Sequence, residues 1–410
     1  MALIVQKYGG TSVGSPERIR QVAARVAAER RRGSDVVVVV SAMGEATDEL
    51  LALACQICED PRRRHPRELD LLLSAGERVA MALLAMAIRE CGVEALSFTG
   101  SQAAIITDGV HTGARIEEVR ATRVREELER GRVVIVAGFQ GVSRDREVTT
   151  LGRGGSDTTA VALAAALGAS RCEIFTDVDG VHTADPRRVR GARRIPRIDY
   201  DEMLELATSG AKVMHARAVE IGARYRVPIH VRSSFGEGEG TLITAREAGM
   251  MEDLVLTGLA SESGHARLTL RGLPPGMGPT AQVLSRLAGA GVSVDMVAQA
   301  DRPDGRCQLQ LTVREEVLPE ARSICGALCD ELGAEGIEER AGLARLALVG
   351  SGMHGRPGVY ARAFEALLEK GIEVYALSTS SISIALLVDA ANETAALECL
   401  HEAFGLGGER

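Results

Sequence analysis

The residues most able to do chemistry lie in TTLGRGGSDTTAVALAAALGA, residues 149–169. Arg153 is set among glycines, and Ser156 and Asp157 open a very apolar helix. A helix start offers free N–H groups and the positive end of a dipole to an anion. An arginine beside it adds a two-pronged fork for a carboxylate. Capping alone explains Asp157 in a first turn, but it does not explain Arg-Gly-Gly-Ser-Asp together.

A second cluster is KYGGTSVGS, Lys7 to Ser15, directly after the apolar run LIVQKY. Glycines let backbone N–H groups approach a phosphate, and Lys7 adds a point charge. The Walker spacing G-x-x-x-x-G-K-[ST] is absent. A strand-to-helix turn, with Ser15 as N-cap and Pro16 at the first helical position, accounts for part of the cluster and leaves Lys7 unexplained. SAMGEATDEL (41–50) places hydroxyls Ser41 and Thr47 after another strand, where either a ligand or a helix start would put them. In LSAGERVAMALL (73–84), Glu77 and Arg78 interrupt an apolar stretch. Charges in that setting are paired or functional, so Glu77 is equally an ion-pair partner or the acceptor for a substrate ammonium. FTDVDGVHTADPR (175–187) is a further strand end rich in turn residues. In ATSGAKVMHARA (207–218), Lys212 at a helix start points to a bound anion, because the dipole there repels a cation; taken alone, a surface turn explains this segment and 175–187 as well.

These segments need a frame that brings strand ends together. Short β-branched runs at 3–8, 35–42, 132–139, 172–177 and 228–233 alternate with helical patterns at 16–32, 67–91, 115–130, 156–168 and 211–224. That alternation predicts an α/β fold with a mostly parallel sheet covered on both faces. Val36 to Val40 is apolar at every position, as doubly covered strands are. FGEGEGTLITAREAGMME, within 234–252, reads as a linker. Beyond it the pattern repeats: AGAGVSV at 288–294 returns as LEKGIEV at 368–374, 80 residues later. The first unit reads β 266–271, α 279–290, β 292–299, β 306–313, α 317–333, β 335–340. The second reads β 344–350, α 357–370, β 371–378, β 381–388, α 393–404, and the spare run 254–260 is available as its missing strand. Two βαββαβ units without catalytic-looking residues predict paired ligand-binding modules.

Bulk composition narrows the function. The 410 residues suit two or three domains. Trp is absent, aromatics are 3% and the net charge is -8, which disfavours a nucleic-acid surface or an anionic membrane. No apolar run reaches the roughly 18 residues of a membrane span, and the longest, 79–88, fits a buried helix. The N-terminus lacks the features of a signal peptide, so a cytoplasmic location is expected. The eight cysteines lack zinc-site spacing; even Cys55 and Cys58 fall within a helical pattern and read as reduced, small apolar residues.

Taken together, KYGGTSVGS, VVSAMGEATDELL, SAGERV, HTGARI (111–116), GFQG (138–141), LGRGGSDTTAVALA, TDVDGVHTADPR and DEMLELATSGAKVMHARAVE (201–220) resemble the aspartokinase branch of the amino-acid kinase family. GVSVDMVAQ (291–299), VGSGMHGRPGV (349–359) and ALSTSSISIALLVD (376–389) resemble its paired ACT regulatory units. The resemblance runs in order over nearly the whole chain and implies the monofunctional form. It implies a three-layer αβα kinase domain over 1–233, a linker over 234–252, one ACT domain over 265–341 and a second over 344–405 completed by 253–261. The implied reaction is ATP-dependent phosphorylation of the L-aspartate side chain to 4-phospho-L-aspartate, the first step toward aspartate-derived amino acids.

The resemblance also carries roles to matching residues. Lys7 and Asp157 would be catalytic. Lys7, Tyr8, Gly9, Gly10, Ser41, Thr176, Asp177, His182, Arg187, Lys212 and Val213 would line the nucleotide site. Thr47, Glu77, Arg153, Gly154, Gly155 and Ser156 would hold aspartate, with Arg153 on the α-carboxylate and Glu77 on the ammonium. Mg²⁺ would be held by the phosphates rather than by side chains. His182 stands where the family often has Tyr. The effector positions differ more: Pro275 replaces an Asp, Gln299 is followed by Ala rather than Asn, Glu373 replaces an Asn, and Ser381 replaces a Glu. An amino-acid effector needs an acceptor for its ammonium and donors for its carboxylate, so lysine or threonine feedback is expected to be weak, absent or changed. A homodimer through the ACT units is the expected assembly. The competing readings are a glutamate or acetylglutamate kinase of the same fold, a sensing subunit without activity, and, last, a nucleic-acid regulator. An internal start at Met250 or Met251 would yield a separate regulatory subunit.

Overall fold

The computed structural model describes residues 2–246, 256–353, 356 and 358–407. It contains two units. The first is organised around an eight-stranded sheet in the order Arg197–Asp199, Thr241–Thr244, Ile229–Ser233, Arg171–Thr176, Leu3–Tyr8, Asp35–Val40, Val133–Ala137, Ala95–Phe98. Every pairing is parallel except that between Ile229–Ser233 and Thr241–Thr244. Val36, Val38 and Val40 face the helices Pro16–Arg31 and Ala75–Glu90, meeting Ile19, Val22, Val26, Leu84 and Ile88. Val37 and Val39, on the other face, are equally buried. Burial on both faces, at roughly 1.5–3 kcal/mol per valine, is why this strand is apolar throughout. The Gly155–Leu167 helix is apolar on nearly all sides and buried along most of its length. A smaller sheet, Ile116–Val119, Ile105–Thr107, Gln140–Ser143, Val148–Thr150, sits in the same unit.

Several expected boundaries differ. The 67–91 helix is two helices, Pro66–Leu73 and Ala75–Glu90. The joint is Ser74, whose carbonyl accepts a hydrogen bond from Gln140 Nε2 at 2.9 Å, a side-chain intrusion of the kind that breaks helices. Within 115–130 the helix covers only Thr122–Glu129; Ile116–Val119 instead pairs with Ile105–Thr107, so tertiary pairing overrides the helical pattern. The helix expected at 211–224 is Ala216–Tyr225, so Lys212 lies in a turn ahead of it. Thr241–Thr244, expected as linker, is a strand of the large sheet, with Thr241 and Ile243 buried at alternate positions that the Gly/Glu run masks. Residues 247–252 of the expected linker, with Met250 and Met251, lie outside the described residues.

The second unit is built on an antiparallel six-stranded sheet, Val297–Asp301, Cys307–Arg314, Gly258–Leu273, Gly336–Val349, Ser383–Asp389, Ala376–Thr379. Two strands are longer than the repeat suggested. Gly258–Leu273 and Gly336–Val349 each run through both βαββαβ cores and pair along their length, with register shifts on either side of His265. One core gathers Leu268, Val283, Leu287, Leu309 and Leu328, and the other Leu346, Leu348, Ala363, Leu367, Leu386 and Leu400. Residues 254–255 of the spare run lie outside the described residues; from Gly258 it pairs with Val349. Residues 183–193 and 209–211, expected within the first domain, belong to this unit. Ala184 and Val189 pack into its core.

Candidate active site

The parallel strands deliver their C-terminal ends to one edge of the first sheet, where open α/β folds bind ligands. Leu3–Tyr8 ends at Lys7 and the Gly9-Gly10 turn; Asp35–Val40 ends at Ser41; Arg171–Thr176 ends at Thr176. Gly10 N–Cα–C geometry leaves no room for a side chain: a Cβ there would stand 2.9 Å from both the Ala42 and Gly44 carbonyl oxygens. The backbone of one strand end is thus pressed against the next, and the Gly44 N–H donates to Gly10 O at 3.0 Å.

Lys7 Nζ lies 2.6 Å from Asp157 Oδ1, both side chains nearly buried. Sequence spacing puts them 150 residues apart; the adjacency of strand Leu3–Tyr8 to the first turn of Gly155–Leu167 joins them. That helix starts at Gly154, in the left-handed region at φ 69°, and no side chain caps it. Arg153 is exposed just before it and makes no ion pair among the described residues. A Cβ on Gly138 would fall 2.7 Å from Ser156 Oγ, so the GFQG turn also needs its glycine to admit the helix start.

Glu77 is the most telling group. It is 3% exposed. Its Oε1 accepts from the Ala42 N–H at 3.1 Å, while Oε2 has no hydrogen-bond partner. Burial pushes its carboxyl up to about 7, against weaker lowering by hydrogen bonds. A buried carboxylate oxygen without a donor is costly unless a ligand supplies one. Gly76 lets this helix lie against Ala42, with Thr47 Oγ1 3.9 Å from where its Cβ would be. Thr47 and Glu77 therefore flank the same strand end.

Other expected residues sort differently. Thr176 Oγ1 donates to Asp177 Oδ1 at 3.0 Å, and His182 Nε2 lies 3.3 Å from Asp179 Oδ1. Lys212 is exposed with no ion pair among the described residues, and Val213 follows it in the same turn. The Tyr8 side chain is not available to a nucleotide: it is fully buried and stacked on Phe175 at 4.7 Å, with its hydroxyl donating to Gln6 Oε1 at 3.2 Å. Its alternation along the strand sends it inward while Lys7 faces the site. Arg187 belongs to the second unit, where its guanidinium forks onto Asp185 at 3.0 Å; two residues of separation make that local pair.

His215 was not singled out in the sequence, although it stands three residues after Lys212. A Cβ on Gly154 would lie 2.3 Å from its ring, so imidazole and the Arg153-Gly154 turn are in contact. Its Nδ1 is buried without a partner, and burial lowers its pKa, with Asp157 opposing. In the sequence His215 stands just ahead of a helix start and 61 residues from Gly154, so nothing local signals their contact.

Comparison with known proteins accords with this arrangement. The amino acid kinase family model matches residues 2–233, and an ACT domain model matches 346–404. The aspartokinase of Mycobacterium tuberculosis is 50% identical over 413 residues, covering 100% of this chain and 97% of that protein. The aspartokinase of Geobacillus stearothermophilus is 50% identical over 409 residues, covering 100% and 98%. The chain belongs to the aspartokinases of the amino acid kinase family. Among solved structures, Escherichia coli aspartokinase III in complex with aspartate and ADP superposes with a TM-score of 0.82 at 28% identity, covering 98% of this chain and 99% of that one. The same enzyme in complex with lysine and aspartate gives 0.74 at 28% identity.

In the second unit, the expected effector positions are already engaged or exposed. Gln299 Oε1 accepts from Thr280 Oγ1 at 2.6 Å, and Glu373 Oε2 accepts from Tyr375 OH at 3.0 Å. Pro275 and Ser381 are exposed or partly so in turns.

Proposed function

We propose that this aspartate kinase transfers the γ-phosphoryl group of Mg-ATP to the β-carboxylate of L-aspartate at the strand-end edge holding Lys7, Ser41, Thr47, Glu77, Arg153, Ser156 and Asp157. The observation that carries the substrate assignment is the unpartnered, buried Oε2 of Glu77. An α-ammonium supplies the missing donor, and Arg153 forks onto the α-carboxylate. The two anchors leave the β-carboxylate free to face the phosphate. Lys7, with the Gly9-Gly10 backbone and Ser41, neutralises the β- and γ-phosphates; Asp157 fixes the direction of the Lys7 ammonium. With Asp157 engaged by Lys7, Mg²⁺ would be brought in with ATP rather than held by side chains, and would supply charge shielding at the phosphates. Thr176, Asp177, His182 and Lys212 border the nucleotide. Transfer is in line, without a covalent enzyme intermediate, and rests on positioning and charge stabilisation. Aspartyl hydroxamate formation with L-aspartate and Mg-ATP tests this: Glu77→Gln should raise the KM for aspartate far more than that for ATP, and equal effects on both would refute the role.

The second unit supports a regulatory role with altered ligand preference. Glu373 presents a carboxylate where an effector's own carboxylate needs donors, and Gln299 is occupied by Thr280. Lysine plus threonine at about millimolar concentration should leave more than half the activity, a range set by weak-ligand arithmetic; greater inhibition overturns this reading. The edge strand Val297–Asp301 is exposed at every residue, and Ala376–Thr379 is largely so. Unpaired strand edges of this kind favour pairing with a second copy, and a homodimer by sedimentation is the expected result.

A further inference from the structure

The two groups proposed to hold aspartate sit on separate pieces of chain: Glu77 on Ala75–Glu90, Arg153 in the turn after Val148–Thr150. Asp70, in the helix Pro66–Leu73 that leads into Ala75–Glu90, connects them. It is a carboxylate with no solvent exposure. Its Oδ2 lies 2.7 Å from His111 Nδ1, both its oxygens accept from the Thr112 N–H at 3.1 Å, and Oδ1 accepts from Thr150 Oγ1 at 2.5 Å. Every one of these donors belongs either to the 111–112 loop or to the strand that leads to Arg153.

That loop is held in an uncommon backbone conformation. Thr112 has φ 64°, rare for a threonine. Its carbonyl oxygen would be 3.3 Å from a Cβ on Gly152, itself at φ 76° and one residue before Arg153. The Ala114 N–H donates to Thr150 O at 2.9 Å. From the other side, Arg217 donates to Leu151 O at 2.6 Å and to Ala114 O at 2.8 Å. The turn carrying Arg153 is thus clamped between a buried carboxylate and a guanidinium, and the carboxylate belongs to the helix pair carrying Glu77.

We propose that Asp70 is a positioning residue for aspartate recognition, fixing the Arg153 turn relative to the Glu77 helix and so setting the spacing between the carboxylate fork and the ammonium acceptor. The inference rests on the reading that Glu77 and Arg153 hold the substrate. A buried network serving stability alone would affect aspartate and ATP alike, whereas this one bears on the aspartate anchors.

The test uses the full chain and compares Asp70→Asn, Thr150→Val and Arg153→Lys with the unaltered enzyme, measuring kcat, the KM for each substrate and the melting temperature. A misplacement near 1 Å costs up to about a hundredfold in catalysis. Asp70→Asn is therefore expected to raise the KM for aspartate about tenfold or more while the KM for Mg-ATP stays within about twofold. Thr150→Val, which removes one donor and keeps the shape, should move the same constant in the same direction by less. Should Asp70→Asn not fold, Thr150→Val decides by that criterion. An aspartate KM unchanged in Asp70→Asn or, failing that, in Thr150→Val, while Arg153→Lys raises it, overturns the positioning role and leaves the substrate assignment standing. An aspartate KM unchanged in Arg153→Lys removes the substrate assignment, and the positioning role with it.

Discussion

The buried state of Glu77 makes a prediction about pH. Its carboxyl rises from the ordinary 4.5 to about 7 because burial disfavours the charge. That difference corresponds to roughly 3 kcal/mol. The sign follows from linkage. A carboxyl whose folded pKa lies above its unfolded one binds more protons in the folded state, so the ligand-free protein loses stability as pH rises from about 4.5 to about 7, and the loss is complete above that. In the proposed role of Glu77, the ammonium of aspartate would reverse this by pairing with the charged form. Two measurements follow. With Mg-ATP saturating throughout, kcat/KM for aspartate should fall about tenfold per unit as pH drops below about 7, because that ratio reports the enzyme before aspartate binds. The limb in kcat should lie at lower pH, since bound ammonium favours the ionised carboxylate. Aspartate should also raise the melting temperature more at about pH 8 than at about pH 6. Glu77→Gln should remove the limb from kcat/KM. A profile flat from about pH 6 to 8, or an identical limb in Glu77→Gln, would refute the reasoning.

Further predictions concern the neighbouring groups. Lys7→Met removes the cation proposed to face the phosphates and leaves Asp157 unpaired, so kcat should drop by about a hundredfold or more with only a modest change in the KM for aspartate; steady-state kinetics checks the split. Gly154→Ala drives a Cβ into the His215 ring and a non-glycine residue into φ 69°. Activity should fall more than about tenfold and return in part in Gly154→Ala/His215→Ala, which relieves the clash but not the roughly 1–2 kcal/mol of backbone strain. Glu373→Asn removes the carboxylate that meets Tyr375 OH; sensitivity of the hydroxamate assay to lysine or threonine should increase, and no change would place the effector contacts elsewhere.

The sequence by itself carried the alternation of strands and helices, the doubly covered valine strand and the chemistry-bearing turns, because each is set locally. Period-2 and period-3.6 patterns, glycine runs and an arginine before a helix start are all visible within about ten residues. The two-module character of the second half was legible as a repeat for the same reason. What depended on distant partners was not. The break at Ser74 needs Gln140; the strand Ile116–Val119 needs Ile105–Thr107; the strand Thr241–Thr244 needs Ile229–Ser233. The fusion of two expected strands into Gly336–Val349 reflects pairing with an equally long partner. At the site, residue types marked Lys7, Glu77, Arg153 and Asp157, but only the folded chain turned Tyr8 inward, took Arg187 into the second unit, and set His215 against Gly154. Asp70 shows the limit most plainly. In sequence it is one acid in a helical stretch; its meaning arises from His111, Thr112 and Thr150, brought to it from 41 to 80 residues away. Local sequence fixes which groups can react, and long-range packing decides which of them share one desolvated space.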